Sequence, residues 1–152
     1  METVFLLSNA YIMPFWFMMI GLPRWSWTKR IIGSPLIVAP LALLYVGLIV
    51  PQLGSLLADL LNPGLGNIAA ALGTPEGATV GWVHFLTFDL FVGRWAYLES
   101  QERGYSPWLM APVLFFIVML GPLGCLLYLI VRSVVPAKQP AQSETRDWRL
   151  GS

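Results

Sequence analysis

Charged residues are scarce in this chain, and so are the residues that usually build disulfides and metal centres. Only 11% of its 152 residues are charged, against about 25% in ordinary soluble domains. It has one histidine and one cysteine, Cys125, so an internal disulfide and a cysteine-rich metal site are excluded. The formal net charge of +1 argues against nucleic acid as a partner, because phosphate binding needs a concentrated basic face.

Apolar residues, in contrast, make up 57% of the chain, and the mean hydropathy is +0.68. A soluble fold of this size could not cover so much apolar surface, so the composition predicts an integral membrane protein. A helix needs roughly 20 residues to cross about 30 Å of hydrocarbon. Four stretches come close to or exceed that length, at 3–22, 36–57, 80–98 and 108–132.

These stretches predict an all-α polytopic membrane protein, a bundle of four transmembrane helices. Segment 58–78 is broken by glycine and proline, but residues 65–72 are apolar enough to lie along the membrane surface. We therefore expect a short interfacial helix between the second and third spans. Residues 1–135 form one transmembrane domain, and the polar tail 136–152 is expected to be disordered.

The membrane orientation is indicated by cations. Arg24, Lys29 and Arg30 follow the first span, among tryptophans suited to headgroups, which predicts a cytoplasmic connector at 23–35. The tail conflicts with this prediction. Four spans would place it at the opposite face, yet that region carries four more cations, Arg132, Lys138, Arg146 and Arg149.

The third span carries three polar residues at five-residue intervals, His84, Asp89 and Arg94. An ionised side chain near the centre of a membrane helix costs about 2.5 to 3.5 kcal/mol, so such residues normally face a protein interior or a watery cavity. Five residues rotate a helix by about 140°, so the three do not form one stripe. A helix with polar groups on several sides is expected to be surrounded by the other helices.

Each of these residues has a structural and a chemical interpretation. Asp89 either fixes helix register by pairing with Arg94 or takes part in chemistry. His84 is either a satisfied core residue or the one ready proton carrier of the chain. Arg94 could instead extend toward the headgroups and serve only as an anchor, and Glu99 could belong to a solvated helix end. The aromatic residues either face lipid or form a slot for a long conjugated ligand; they are Trp82, Phe85, Phe88, Phe91, Trp95 and Tyr97.

The order of these residues carries a resemblance. The pattern W-x-H at 82–84, followed by D-L-F-x-x-R-x-x-Y-x-E at 89–99, resembles the abscisic-acid-deficient-four-like family of small membrane proteins. The family often has an aspartate where this chain has Glu99. Further agreement lies at Pro14-Phe15, Met18-Met19, Thr28-Lys29-Arg30, Ser34-Pro35 and Pro122-x-Gly124.

The resemblance implies a redox-neutral rearrangement of an epoxy-carotenoid, because the plant family is associated with converting violaxanthin to neoxanthin. An acid protonates the epoxide oxygen while a base removes a polyene proton to give an allene, and no metal or other cofactor is required. We assign His84 as acid/base and Glu99 as a second carboxylate, with Asp89 and Arg94 as a buried pair. The six aromatic residues are assigned to substrate binding, and the expected location is a bacterial plasma membrane or a thylakoid.

A competing hypothesis is a protein that binds a carotenoid without converting it, or an accessory subunit of a photosynthetic complex. Its partners would be membrane lipid, a carotenoid and either a second copy of the chain or such a complex. A transporter is less well supported, because the two halves show no repeat. A metal site of His84 with Asp89 or Glu99 would need carboxylates from several helices.

Overall fold

The computed structural model describes residues 1–54, 57, 61 and 64–137. These residues contain helices and turns but no strand, which confirms the predicted all-α class. Two short 3-10 helices, at Pro35–Ile37 and Val50–Gln52, flank the third helix. The α-helices are α1 (Glu2–Gly21), α2 (Ser26–Gly33), α3 (Ala39–Ile49), α4 (Leu65–Leu72), α5 (Pro75–Glu102) and α6 (Pro107–Val134).

Among the described residues, three helical segments have the total length and apolar composition to cross a membrane, and the chain is accordingly a membrane protein. They are α1, the segment Pro35–Gln52 around α3, and α6 when its two halves are counted together. Helix α5 has 28 residues and a length of about 42 Å, but its polar residues keep it out of this set. The predicted short helix is present as α4; its position at a membrane surface stays a prediction. The predicted tail lies outside the described residues from 138 onward.

Helix α5 is central in the bundle, but it is not surrounded as its scattered polar residues predicted, because Trp82, Phe85, Phe88 and Phe91 remain exposed along one face. It packs against each of the other five helices in the described part of the chain. Its buried positions include Val83, Leu90 and Ala96. A side chain at Gly93 would overlap the indole of Trp16 on α1, so glycine permits the close approach that small residues give membrane helices.

Helix α6 does not continue in one direction, because it reverses at Leu120. The backbone of Leu120 is not helical (φ −144°, ψ 58°). A Cβ at Gly124 would overlap the backbone of Phe116 and Ile117, eight and seven residues earlier, whereas a straight helix separates such positions by about 10 Å or more. Residues 107–119 and 121–134 are therefore two antiparallel half-helices, here called the α6 hairpin.

One contact closes the open end of the α6 hairpin, and a second joins the end of the hairpin to α5. The Tyr105 hydroxyl, before α6, donates to the carbonyl oxygen of Val135, after α6, at 2.9 Å. Arg132 Nε lies 2.8 Å from Glu99 Oε1 at the end of α5. The predicted fourth span, 108–132, is thus wrong in its path: it enters and leaves at the same end of the bundle. The physical reason is the Gly121-Pro122-Leu123-Gly124 sequence, where proline removes a helix donor and Gly124 lets two backbones touch.

The reversal resolves the conflict between the cations of the first connector and those of the tail. The end of the bundle that holds 22–34 is here called the connector end, and Val135 leaves the hairpin at this same end. Within the described residues every lysine and arginine lies toward the connector end, including Arg24, Arg103 and Arg132. Glu2 and Glu76 lie toward the opposite end, in the first turns of α1 and α5.

Cysteine labelling tests the path of the α6 hairpin. In a Cys125→Ser background, we expect Ser26→Cys and Ala137→Cys to react with an impermeant maleimide from the same side of sealed vesicles. Gly73→Cys, at the turn between α4 and α5, should react only from the other side. Labelling of Ala137→Cys together with Gly73→Cys would mean that α6 crosses the membrane and that the hairpin is wrong.

Candidate functional site

A cavity of about 400 Å³ lies between α3, α4 and the first half of α5, toward the end of the bundle opposite the connector. Its wall is mostly apolar, with a few polar side chains, which is the usual composition of a small-molecule site. We call it the His84 pocket. It is lined by Tyr45, Ile49, Gln52, Ala71, Leu72, Thr74, Gly77, Val80, Gly81 and His84.

The turn between α4 and α5 builds one side of the His84 pocket. Thr74 caps α5, because its hydroxyl accepts from the Gly77 amide at 3.0 Å and donates to the Ala71 carbonyl at 2.9 Å. A Cβ at Gly77 would overlap the Ala71 backbone. Only glycine therefore lets α4 fold back this tightly on α5, which brings Leu72 against Gly81 and forms the pocket wall.

His84 is held among aromatic rings rather than by hydrogen bonds. Its imidazole lies 4.8 Å from the Phe88 ring and 5.3 Å from the Tyr45 ring, centroid to centroid. Neither ring nitrogen has a hydrogen-bond partner in the part of the chain that the structure describes. The side chain is exposed to the pocket, so both nitrogens are available to a ligand.

Tyr45 is the residue that sequence reasoning missed. It lies on α3 and lines the same pocket as His84, and its hydroxyl also lacks a hydrogen bond to any described residue. The other described tyrosines outside the pocket include Tyr11, Tyr97 and Tyr105, whose hydroxyls donate to backbone carbonyls. The available signal was one phenol in the otherwise apolar run LALLYVGLI, but nothing in the sequence indicated its distance from His84.

Asp89 lies outside the His84 pocket, against the reversal of the α6 hairpin. A Cβ at Gly121 would overlap Asp89 Oδ1, so glycine leaves the space that the carboxylate occupies. Asp89 is half-buried and forms no hydrogen bond or ion pair with another described residue. Its position places it beside the beginning of the second half-helix, whose partial positive charge favours a carboxylate.

Arg94 does not pair with Asp89, which corrects the predicted buried pair. Its Nε donates to the Ile32 carbonyl at 2.8 Å and its Nη2 donates to the Gly33 carbonyl at 2.5 Å. These carbonyls end α2, where a cation is favourable because the last carbonyls of a helix lack partners. Arg94 therefore anchors the connector to α5, a structural role.

Glu99 lies far from His84, at the connector end of α5. Fifteen residues of helix separate the two by about 22 Å, so the structure does not bring the predicted second carboxylate into the pocket. Glu99 Oε1 instead lies 2.8 Å from both Arg103 Nε and Arg132 Nε. Burial alone would raise the pKa of Glu99, but the Arg103 hydrogen bond and the charge of Arg132 hold this pKa below its usual value of 4.5.

This shift predicts a pH-dependent stability. A carboxylate whose pKa is lowered by folding stabilises the folded state above its unfolded-state pKa and loses that contribution as the pH falls through the lowered folded-state value. We expect the melting temperature of the wild-type protein in detergent to fall as the pH drops below 4.5. Glu99→Gln should melt lower at neutral pH and show a flatter pH dependence in that range. Parallel profiles for the two proteins would contradict the ion-pair role.

The six predicted aromatic residues do not form one slot. Phe85 and Phe88 are exposed beside His84, and Trp82 and Phe91 are also exposed. Trp95 contacts the buried Tyr128 ring at 5.0 Å, edge to face. Tyr97 is buried and its hydroxyl donates to the Pro23 carbonyl at 2.8 Å, so it is not available to a ligand.

Among the described residues, no group of three or more histidine, cysteine, aspartate or glutamate side chains lies close enough together to bind a metal ion. The protonatable groups of the His84 pocket are an imidazole and a phenol. This pair can donate one proton and accept another within an apolar wall, which is the minimum needed for acid/base chemistry on an uncharged substrate.

The comparisons with known proteins agree with the resemblance read from the sequence. The family model described as ABA DEFICIENT 4-like matches residues 3–128. This range includes α1 to α5 and the reversal of the α6 hairpin. No curated protein and no solved structure matches the chain.

Proposed function

Because the chain belongs to the ABA DEFICIENT 4-like family, we propose that it is a membrane-embedded isomerase that opens the epoxide of an epoxy-carotenoid to give an allene. The reaction resembles neoxanthin formation and needs no change of oxidation state. The observation that carries the proposal is the His84 pocket, in which two protonatable side chains without hydrogen bonds to other described residues face one apolar cavity.

The size of the pocket suits one end of such a substrate. Its volume of about 400 Å³ falls in the range of about 300–1,000 Å³ that is typical of small-molecule sites. One end ring fits in that space, while the whole molecule, which is about as long as a membrane is thick, does not. The polyene would leave the pocket past the exposed rings of Phe85 and Phe88, toward the lipid tails.

The chemistry needs one proton to be delivered and one to be removed. We assign the Tyr45 hydroxyl to protonate the epoxide oxygen as its bond to the ring carbon breaks, and His84 to take the proton from the adjacent polyene carbon. The electron pair of that C–H bond forms the new double bond of the allene. The proton on His84 then returns to Tyr45, so atoms and charge balance. Each positioned transfer typically contributes about 10²–10⁴-fold.

Burial in a membrane explains why two polar groups that have no partner among the described residues support a ligand site. Lipid tails offer no hydrogen bonds, so a polar group that lacks a partner costs several kcal/mol there. A hydroxylated epoxide ring supplies the missing acceptor to Tyr45 and fills the apolar space. The Asp89 and Arg94 assignments become structural in this proposal, because neither residue lines the pocket.

Reconstitution tests the function. Purified protein in liposomes that contain violaxanthin is expected to produce an isomer of unchanged mass with the absorption spectrum of an allenic carotenoid. Empty liposomes are the control for spontaneous rearrangement. A tightly bound carotenoid whose spectrum and mass never change would instead indicate a binding protein and would contradict the isomerase.

The second candidate, a carotenoid-binding or accessory subunit of a photosynthetic complex, is favoured by one specific observation. Trp82, Phe85, Phe88 and Phe91 expose 40% to 58% of their surface along α5, an aromatic surface suited to a polyene or to another membrane protein. A second copy of the chain could cover the same surface. Under either proposal the protein acts in a bacterial plasma membrane or a thylakoid.

A further inference from the structure

A second cavity, of about 480 Å³, lies at the connector end, between the end of α1 and the first turn of the α6 hairpin. It lies between other helices than the His84 pocket does, and the two cavities share no residue. We call it the connector groove. Its floor is apolar, with Ile20, Leu22, Pro107 and Ala111, and its rim carries Arg24 with Trp25 and Trp108.

Arg24 differs from Arg94, Arg103 and Arg132, and it shares the lack of an anionic partner with Arg30, whose guanidinium lies over the Trp27 ring instead. Arg94 is bonded to the carbonyls that end α2, and Arg103 and Arg132 share Glu99. Arg24 is exposed and has no hydrogen bond or ion pair within the described residues. No aspartate or glutamate lines the groove, so its positive charge is available to an anion.

The backbone around Arg24 is fixed in place before any ligand binds. The Tyr97 hydroxyl donates to the Pro23 carbonyl at 2.8 Å, and the buried Thr28 donates to the Leu22 carbonyl at 2.8 Å. The Trp25 amide donates to the same Leu22 carbonyl at 3.1 Å. Because this backbone is already ordered, only the Arg24 side chain has to be ordered when an anion binds, which favours a specific site over a diffuse attraction.

The surroundings of the groove indicate a membrane interface. Trp25 is 49% exposed and Trp108 is 89% exposed, and exposed tryptophans are enriched at the level of lipid headgroups. On α2, Lys29 and Arg30 add positive charge next to the groove. An apolar trough that ends at a cation between two tryptophans is complementary to a lipid with an acyl chain and an anionic headgroup.

We propose that the connector groove binds one anionic phospholipid. An acyl chain lies against Ile20, Leu22 and Ala111, and the phosphodiester lies on Arg24. The charge complementarity carries this assignment: a zwitterionic lipid would bring a second cation to the same rim, next to Arg24, Lys29 and Arg30. The site also orients the protein, since the leaflet that supplies the lipid must face the connector end.

Native mass spectrometry tests the proposal. Protein extracted from vesicles of equal phosphatidylglycerol and phosphatidylcholine is expected to retain one phosphatidylglycerol molecule. Arg24→Gln should reduce the retained fraction at least tenfold. Ala111→Phe, which fills the groove without a change of charge, should reduce it comparably. The matched control is Arg30→Gln, which removes the same charge nearby from a side chain that stacks on Trp27 instead of lining the groove.

Each other outcome overturns the site. Equal losses in Arg24→Gln and Arg30→Gln would show a general surface attraction, and unchanged retention in Arg24→Gln would show that the headgroup binds elsewhere. Equal retention of both lipids by the wild-type protein would remove the charge argument. Melting temperatures of the variants in detergent confirm that the fold is intact, which the exposed position of Arg24 leads us to expect.

Discussion

Replacing Gly124 with alanine is expected to lower the melting temperature of the protein strongly, because a Cβ at this position would overlap the backbone of Phe116 and Ile117. Backbone atoms cannot move aside as a flexible side chain can, so the two half-helices of the α6 hairpin must separate. Overpacking of this kind costs about 1–3 kcal/mol or more. Differential scanning fluorimetry in detergent micelles measures the effect directly.

Gly47→Ala is the matched control for this prediction. Gly47 lies on α3 and a Cβ there would meet no atom within 4 Å. Glycine in a helix is less stable than alanine by about 0.5–1 kcal/mol, so Gly47→Ala should raise the melting temperature slightly while Gly124→Ala lowers it. Shifts of the same sign and size would contradict the close backbone contact and, with it, the hairpin.

His84→Ala and Tyr45→Phe are expected to reduce the conversion of an epoxy-carotenoid by about 10²–10⁴-fold each, the usual contribution of a positioned acid or base. Tyr45→Phe keeps the ring that contacts His84 and removes only the hydroxyl, so it should still bind the substrate. The rate of allene formation in liposomes, together with the amount of bound carotenoid, separates loss of chemistry from loss of binding.

Tyr11→Phe is the control for the loss of a tyrosine hydroxyl in the bundle. Its hydroxyl donates to the Ile37 carbonyl at 2.9 Å, outside the His84 pocket. Its removal should lower stability by roughly 1 kcal/mol and leave turnover nearly unchanged. Normal turnover by Tyr45→Phe and His84→Ala would remove both residues from the mechanism.

The long helices were predictable from the sequence, because apolar length and the positions of glycine and proline depend on local physics, but α2 within the predicted connector 23–35 was not. The contact of α5 with every other described helix was also predictable, since polar residues in a membrane helix need protein partners, but the prediction that α5 is surrounded was wrong, because Trp82, Phe85, Phe88 and Phe91 are exposed. The reversal of α6 was not, because a kink and a hairpin share the same glycine and proline signals. The contact of Gly124 with Ile117 and the hydrogen bond between Tyr105 and Val135 distinguish the two.

The candidate site was predictable only in part. His84 could be identified from its chemistry and because it is the one histidine of the chain. Tyr45 could not, because it lies on another helix and a single sequence does not show how far apart two helices lie. Arg94 and Glu99 were misplaced for a related reason. A charged residue requires a partner, yet the sequence does not say whether that partner is Asp89, a helix end or a second arginine. The packing of the helices determines the partner: Arg94 bonds to the carbonyls that end α2, and Glu99 pairs with Arg132.

The most direct test of the central claim, that the His84 pocket holds and converts the carotenoid, is to fill the pocket. Gly81 lines it and lies against Leu72, so Gly81→Leu should abolish both copurification and conversion of the carotenoid. Gly47→Leu, the same change at an open helical position, should preserve both. Undiminished carotenoid binding and conversion by correctly folded Gly81→Leu protein would contradict the account.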